Sequence, residues 1–297
     1  MPTPGEPPAA RTHQHRLPQE LVDRVLASLA GEYDVPPVRD AATVVLLRDA
    51  AGGPEAYLLR RHLGMAFAAG MTVFPGGGVD PRDAALADEH WVGPAASWFA
   101  ERLRCPEPLA RALVCAAVRE TFEESGVLLA GPDAHSVVAD TSADDWEADR
   151  LALIERGIAL HELLERRGLL LRADLVRPWA HWITPEFETK RYDTRFFVAA
   201  LPPGQRTRDV GGEADQVQWC TPAAALAAVD RGEAAMLPPT ATTLEELGSL
   251  ETVADVIAAA DERVITTYLP KAALVDGEVR LLLNGDSGYG GDPGCDS

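Results

Sequence analysis

Residues Arg119-Glu120-Thr121-Phe122-Glu123-Glu124-Ser125-Gly126-Val127 set three glutamates at helical spacing just before a glycine. Positions i, i+3 and i+4 share one helix face, and like charges there cost about 0.2–0.5 kcal/mol per pair. Glu123 and Glu124 also fall in the last turn, where the helix dipole is negative and prefers cations. Gly126 suits the position just past a helix end. Two local rules are broken at one spot, as happens where function overrides stability. A hard divalent cation turns both penalties into attraction, because carboxylate oxygens are preferred donors for Mg2+ and Mn2+.

A second feature bears on the same chemistry. Met71 to Phe74 reads as a short strand running into Pro75-Gly76-Gly77-Gly78, a loop whose backbone can approach a ligand closely. Upstream, Ala42 to Leu47 and Ala56 to Leu59 flank Gly52-Gly53-Pro54 and read as a hairpin. The glutamate segment belongs to a helix from about Leu109 to Ser125, with Val114, Val118 and Phe122 as its core stripe and the glutamates largely off it. Further helices are expected over Pro18 to Ala30, Ala95 to Leu103, Asp144 to Arg167 and Leu244 to Ala260, with an alanine-rich one after Thr221-Pro222. Strands are expected at Trp179 to Ile183, Arg195 to Leu201 and Val217 to Cys220. A terminal hairpin of Ala273 to Val275 and Val279 to Leu283 turns at Asp276-Gly277. Strands and helices are intermixed without a regular βαβ rhythm, which predicts an α/β (α+β) fold with a mixed sheet.

Glycine loop and glutamate helix together resemble the Nudix hydrolases, whose signature is G-x5-E-x7-R-E-U-x-E-E-x-G-U with U a bulky apolar residue. Arg119, Glu120, Glu123, Glu124, Gly126 and Val127 match its second half, with Thr121 at the first U. Gly77 matches the first half, and Asp83 stands where the family has glutamate. Thirty-five residues separate Asp83 from Arg119 where the family has seven, an insertion of 28. This interrupted box resembles the branch that includes peroxisomal-type coenzyme A diphosphatases. Phe74-Pro75-Gly76-Gly77, Val79-Asp80, Trp182-Ile183-Thr184-Pro185, Arg191 to Phe197 and Gly285-Asp286 also resemble that branch.

The resemblance implies a mixed sheet sandwiched between helices, with an inserted helical segment in the box (about 84–111) and an extra helical segment at about 141–170. It implies that Glu120, Glu123, Glu124 and the Gly77 carbonyl hold Mg2+ or Mn2+. Glu123 is a ligand or the base that deprotonates the attacking water. Arg119 pairs with Asp83 and fixes the loop against the helix. Glu213, in the Gly211-Gly212-Glu213 loop, stands where many members carry an extra acid that serves as catalytic base or metal ligand. Arg60, Arg61, Arg191 and Arg195, with Gly76 and Gly78, are the candidate substrate contacts. The implied substrate is a small diphosphate, coenzyme A or acyl-CoA, with ADP-ribose, NADH or a nucleotide sugar as the alternative. A Nudix-like sensing or protein-binding domain without turnover is a third reading, against which the intact glutamate set argues.

Bulk properties narrow the rest. With 27 basic against 46 acidic residues the net charge is -19, a poor match for a nucleic acid backbone or an anionic membrane. A small polyanion remains compatible if cations neutralise the site. Cys105, Cys115, Cys220 and Cys295 form no C-x-x-C pair, which argues against structural zinc or a disulfide framework. No apolar run approaches the roughly 18 residues of a membrane span. The expected organisation is a disordered leader at 1–16, a helix and linker at 17–38, the Nudix domain at 39–283 and a flexible tail at 284–297. The chain ends Cys295-Asp296-Ser297 rather than in a Ser-Lys-Leu address, so the cytoplasm is the expected compartment. A homodimer is the expected assembly.

Overall fold

The computed structural model describes residues 19–62, 64, 68–208, 214–275, 278–284, 286 and 289. In chain order its helices are α1 (Gln19–Leu29), α2 (Ala96–Leu103), α3 (Glu107–Ser125), α4 (Asp144–Ile154), α5 (Leu160–Arg167), α6 (Pro222–Asp230), α7 (Pro238–Leu247) and α8 (Val253–Glu262). Its strands are β1 (Val38–Ala50), β2 (Gly53–Arg61), β3 (Thr72–Val73), β4 (Gly76–Gly78), β5 (Trp91–Val92), β6 (Ala130–Gly131) and β7 (Leu170–Arg172). They continue with β8 (Val176–Ile183), β9 (Arg191–Ala200), β10 (Ala214–Cys220), β11 (Thr267–Tyr268), β12 (Lys271–Val275) and β13 (Glu278–Leu282). The main sheet runs β10-β2-β1-β9-β8-β11, with β3 beside β2 and β4 beside β1. It is mixed: β1 and β2 are antiparallel, whereas β11 and β8 are parallel.

The chain divides into two compact units, of which the larger spans residues 41–180 and 195–265. Strand alternation explains its layers. Ala42, Val44 and Leu46 of β1 join Leu113, Val114, Val118 and Phe122 of α3 in one core. Val45 and Leu47, on the opposite face of β1, are equally buried, and α6 packs on β2. In the smaller unit, α1 packs on the β12–β13 hairpin. Trp182 stacks on Tyr268 there at 4.6 Å, and the Tyr289 hydroxyl donates to the Leu269 carbonyl at 2.7 Å.

Three expectations need correction. The helix read as continuous from Asp144 to Arg167 is two, because the chain turns at Arg156 (φ 58°) and Gly157 before restarting at Leu160. The helix read from Leu244 to Ala260 is likewise two: α7 ends at Leu247, Gly248 follows, and Thr252 caps α8 by accepting from the Asp255 amide. Finally, α3 is no one-striped helix, because residues 112–122 are buried on every side. The terminal hairpin forms, although its turn at Asp276-Gly277 lies outside the described residues, as does most of the stretch read as a tail.

The insertion supplies much of that cover. Helix α2 packs along α3, and Phe99, fully buried, meets Trp91 and Trp98 in T-shaped contacts with ring centroids 6.0 and 4.8 Å apart. Arg102 reaches across to the carbonyls of Asp261 (3.0 Å) and Arg263 (3.2 Å) at the C-terminal end of α8. These tryptophans therefore pack, and the insertion belongs to the core of its unit. Phe99→Ala is expected to cost about 3–5 kcal/mol in urea unfolding; a loss below about 1 kcal/mol would make the insertion a peripheral appendage.

Candidate active site

The loop that carries Gly76, Gly77 and Gly78 is a strand, β4, paired antiparallel with β1 through Ala41–Thr43. At Gly76 and Gly77 no room is left for a side chain. A Cβ on Gly76 would lie 2.6 Å from the Ala42 carbonyl oxygen, and one on Gly77 2.6 Å from Cδ of Glu120. The loop is thereby pressed against the glutamate face of α3. The Gly76 amide donates to Glu124 Oε2 at 2.8 Å, tying loop to helix directly.

Asp83 sits just beyond the loop in a 3-10 turn over Pro81–Ala85, inside a capping box. The Asp80 side chain accepts from the Arg82 amide, and the Asp83 carboxylate accepts from the Asp80 amide at 2.8 Å. The same carboxylate takes a two-pronged contact from Arg119, Nε to Oδ1 at 3.0 Å and Nη2 to Oδ2 at 2.9 Å. Arg119 also donates to the Gly78 carbonyl (2.9 Å), Glu120 Oε1 (2.7 Å) and Glu123 Oε1 (3.3 Å). One guanidinium thus holds loop, turn and helix together, in the fork geometry that suits arginine. The expected pairing forms despite the insertion. The chain leaves after the 3-10 turn and re-enters as the added first turns of α3, so the ends of the box stay adjacent.

Charge in this cluster is out of balance, since Asp83, Glu120 and Glu123 surround a single cation. Burial pushes the Glu120 carboxyl up to about 7 although Arg119 opposes it, and Glu123 adds to the rise. Burial also raises Glu123, opposed by Arg119 and Arg150. Desolvation works against the charge of Arg119, yet its carboxylate partners, Asp83 first, hold it protonated.

Other expected residues fall in different places. Arg60 and Arg61 end β2, Arg60 exposed to solvent. Arg195 is buried in β9. Arg191, in the smaller unit, is buried and donates to the carbonyls of Thr184 (3.1 Å) and Pro36 (3.2 Å), bracing backbone. Glu213 lies outside the described residues. Sequence reasoning missed Arg150 of α4, 1% exposed, which donates to the Glu123 carbonyl at 2.7 Å. A signal was present: Trp146, Arg150 and Leu153 stand at i, i+4 and i+7, so the arginine interrupts an apolar stripe. Ile154, next to that stripe, is 46% exposed.

Known proteins share this fold. A crystal structure of a NUDIX hydrolase from Alicyclobacillus acidocaldarius superposes with a TM-score of 0.66 at 29% identity, covering 76% of this chain and 97% of that one. The molecule is accordingly a Nudix hydrolase, with the interrupted box on a Nudix fold. Residues 94–247 match the family model of the NUDT19 Nudix domain, and the chain belongs to that family. An acyl-coenzyme A diphosphatase NUDT19 of Gallus gallus is 26% identical over 86% of this chain and 80% of its own length. The Xenopus laevis protein of the same name is 28% identical over 37% of this chain and 32% of its own. The chain is therefore a hydrolase of diphosphate bonds.

Two measurements probe the cluster. Asp83→Ala strands a buried guanidinium, and a loss of about 3–5 kcal/mol is expected in denaturant unfolding; a loss under about 1 kcal/mol would contradict the clamp. Glu120 titrates higher folded, at about 7, than its ordinary 4.5, so its charge opposes folding as pH rises through that window. Glu120→Gln in EDTA is expected to stabilise the protein by roughly 1–3 kcal/mol at a pH above 7, with the gain fading toward the ordinary carboxylate pKa. Equal stability of the two proteins in alkaline buffer would refute the charge imbalance.

Proposed function

We propose that the protein is a Mg2+- or Mn2+-dependent diphosphatase of coenzyme A or acyl-CoA, releasing an adenosine bisphosphate and a phosphopantetheine. What carries the metal part is the surplus of carboxylate over guanidinium in a buried cluster. The donor set fits a hard divalent cation: glutamate oxygens of Glu120 and Glu124, with the Gly77 carbonyl on the adjoining strand. Among the described residues no group of three or more His, Cys, Asp or Glu side chains is already arranged to hold a metal ion. The glutamate oxygens are instead engaged with Arg119 and the Gly76 amide. Bound there, the cation would neutralise a diphosphate and acidify a water.

The chain's own groups do the remaining work. Glu123, at the end of the arginine's reach, is the base that takes the proton of the attacking water. Arg119, occupied by Asp83 and Gly78, holds the loop so that the cleft keeps its shape. Gly76, Gly77 and Gly78 let the backbone approach the diphosphate without side chains between. The substrate class rests on the acyl-coenzyme A diphosphatase relatives.

Purified protein with Mg2+ or Mn2+ is expected to cleave coenzyme A thioesters, with EDTA abolishing turnover. Glu123→Gln is expected to lower kcat about 10²–10⁴-fold. Turnover of ADP-ribose or NADH with no cleavage of any coenzyme A thioester would reject the substrate; a fully active Glu123→Gln would reject the base.

A further inference from the structure

We propose that Arg150, from the helix that follows the glutamate helix, is a positioning residue that locks the last turn of α3 and so sets the direction of the Glu123 side chain. The inference rests on the reading of Glu123 as an active-site group. A helix end leaves its last carbonyls without intrahelical donors, and α3 has no basic residue in its own last turn. The donors come from elsewhere in the fold. Arg150 Nη1 donates to the Glu123 carbonyl at 2.7 Å, the Arg208 amide to that of Ser125 at 3.0 Å, and Thr141 Oγ1 to that of Gly126 at 2.6 Å. Only Arg150 among these brings a positive charge to the carbonyl of a box glutamate, where the helix dipole favours one.

Arg150 is itself tightly held. Glu147, one turn back, accepts from its Nε at 2.9 Å and its Nη2 at 2.6 Å. Glu147 also takes Arg208 Nη2 at 3.3 Å, and the Tyr57 hydroxyl donates to the Arg208 carbonyl at 3.0 Å. Trp146, on the same face of α4 as Arg150, meets Phe122 of α3 edge-on at 6.2 Å and carries the Arg167 guanidinium 3.6 Å above its ring. The guanidinium is therefore delivered by a docked helix, and a shift of α4 would move the turn that bears Glu123 and Glu124. The extra helical segment thus has a part in the reaction that the signature residues do not cover.

The test compares the parent with Arg150→Met, Arg150→Lys and Glu147→Gln, each first shown to be folded by circular dichroism. Arg150→Met is expected to lower kcat about 10–100-fold with KM within about threefold. Mn2+ affinity of the substrate-free protein, by calorimetry, should weaken about tenfold, the scale seen when partners of ligating residues are removed. Arg150→Lys keeps one donor and the charge and should recover part of both losses. Parental kcat and Mn2+ affinity in Arg150→Met would overturn the proposal. If that variant does not fold, the same parental values in both Arg150→Lys and Glu147→Gln would do so. A parent that binds Mn2+ but cleaves no coenzyme A thioester rejects the substrate reading alone, with the positioning role still read from the Mn2+ titrations. A parent with no Mn2+ affinity overturns both.

Discussion

Arg119 is a buried cation that exists only because Asp83, Glu120, Glu123 and the Gly78 carbonyl are gathered around it. Removing a charge from water is costly, and a buried guanidinium is tolerated only where its donors are met by well-aligned acceptors. Here the acceptors come from three pieces of backbone: the 3-10 turn, the glycine strand and the helix itself. The pairing therefore acts as a geometric constraint more than as a source of stability. Loop and helix must close on each other, or Arg119 and Asp83 are both left buried and unmatched. The insertion between them is accommodated because it leaves and returns outside that contact, burying Phe99 and Leu103 against α3 on the way.

Around the constraint the molecule keeps a charge surplus that folding alone would remove. Glu120 is buried and Glu123 partly buried beside it, both with raised pKa values, and Glu124 is turned to the Gly76 amide. The ionised form of Glu120 is the one that burial disfavours. Such conflicts between local preference and final structure are expected where a site has to bind or react. Rigidity is supplied from outside the helix: Gly126 (φ 73°) ends it, and Arg208, Thr141 and Arg150 meet carbonyls at that end. The energetic penalty of the glutamate turn is thus borne by its neighbours.

Much of this was legible in the residues. The glutamates and Gly126 announce a helix end because helical spacing and capping are local, and the same holds for the β1–β2 hairpin at Gly52-Gly53. The errors were also local in kind but tertiary in cause. Apolar periodicity carried α4 into α5 and α7 into α8, whereas Arg156-Gly157 and Gly248 end each first helix. Arg191 looked like a substrate contact while its donors brace the carbonyls of Thr184 and Pro36.

The amino-acid sequence by itself determined the carboxylate cluster, the glycine loop without side chains and the interruption between them, because each depends on residue type and short spacing. It also carried the family pattern that joins them. Only the tertiary structure decided that Asp83 reaches Arg119 across 36 positions, that α3 is enclosed on all sides, and that Arg150 meets the carbonyl of Glu123. Such contacts depend on which distant surfaces exclude water together. No periodicity along one helix records the helix that will be packed against it.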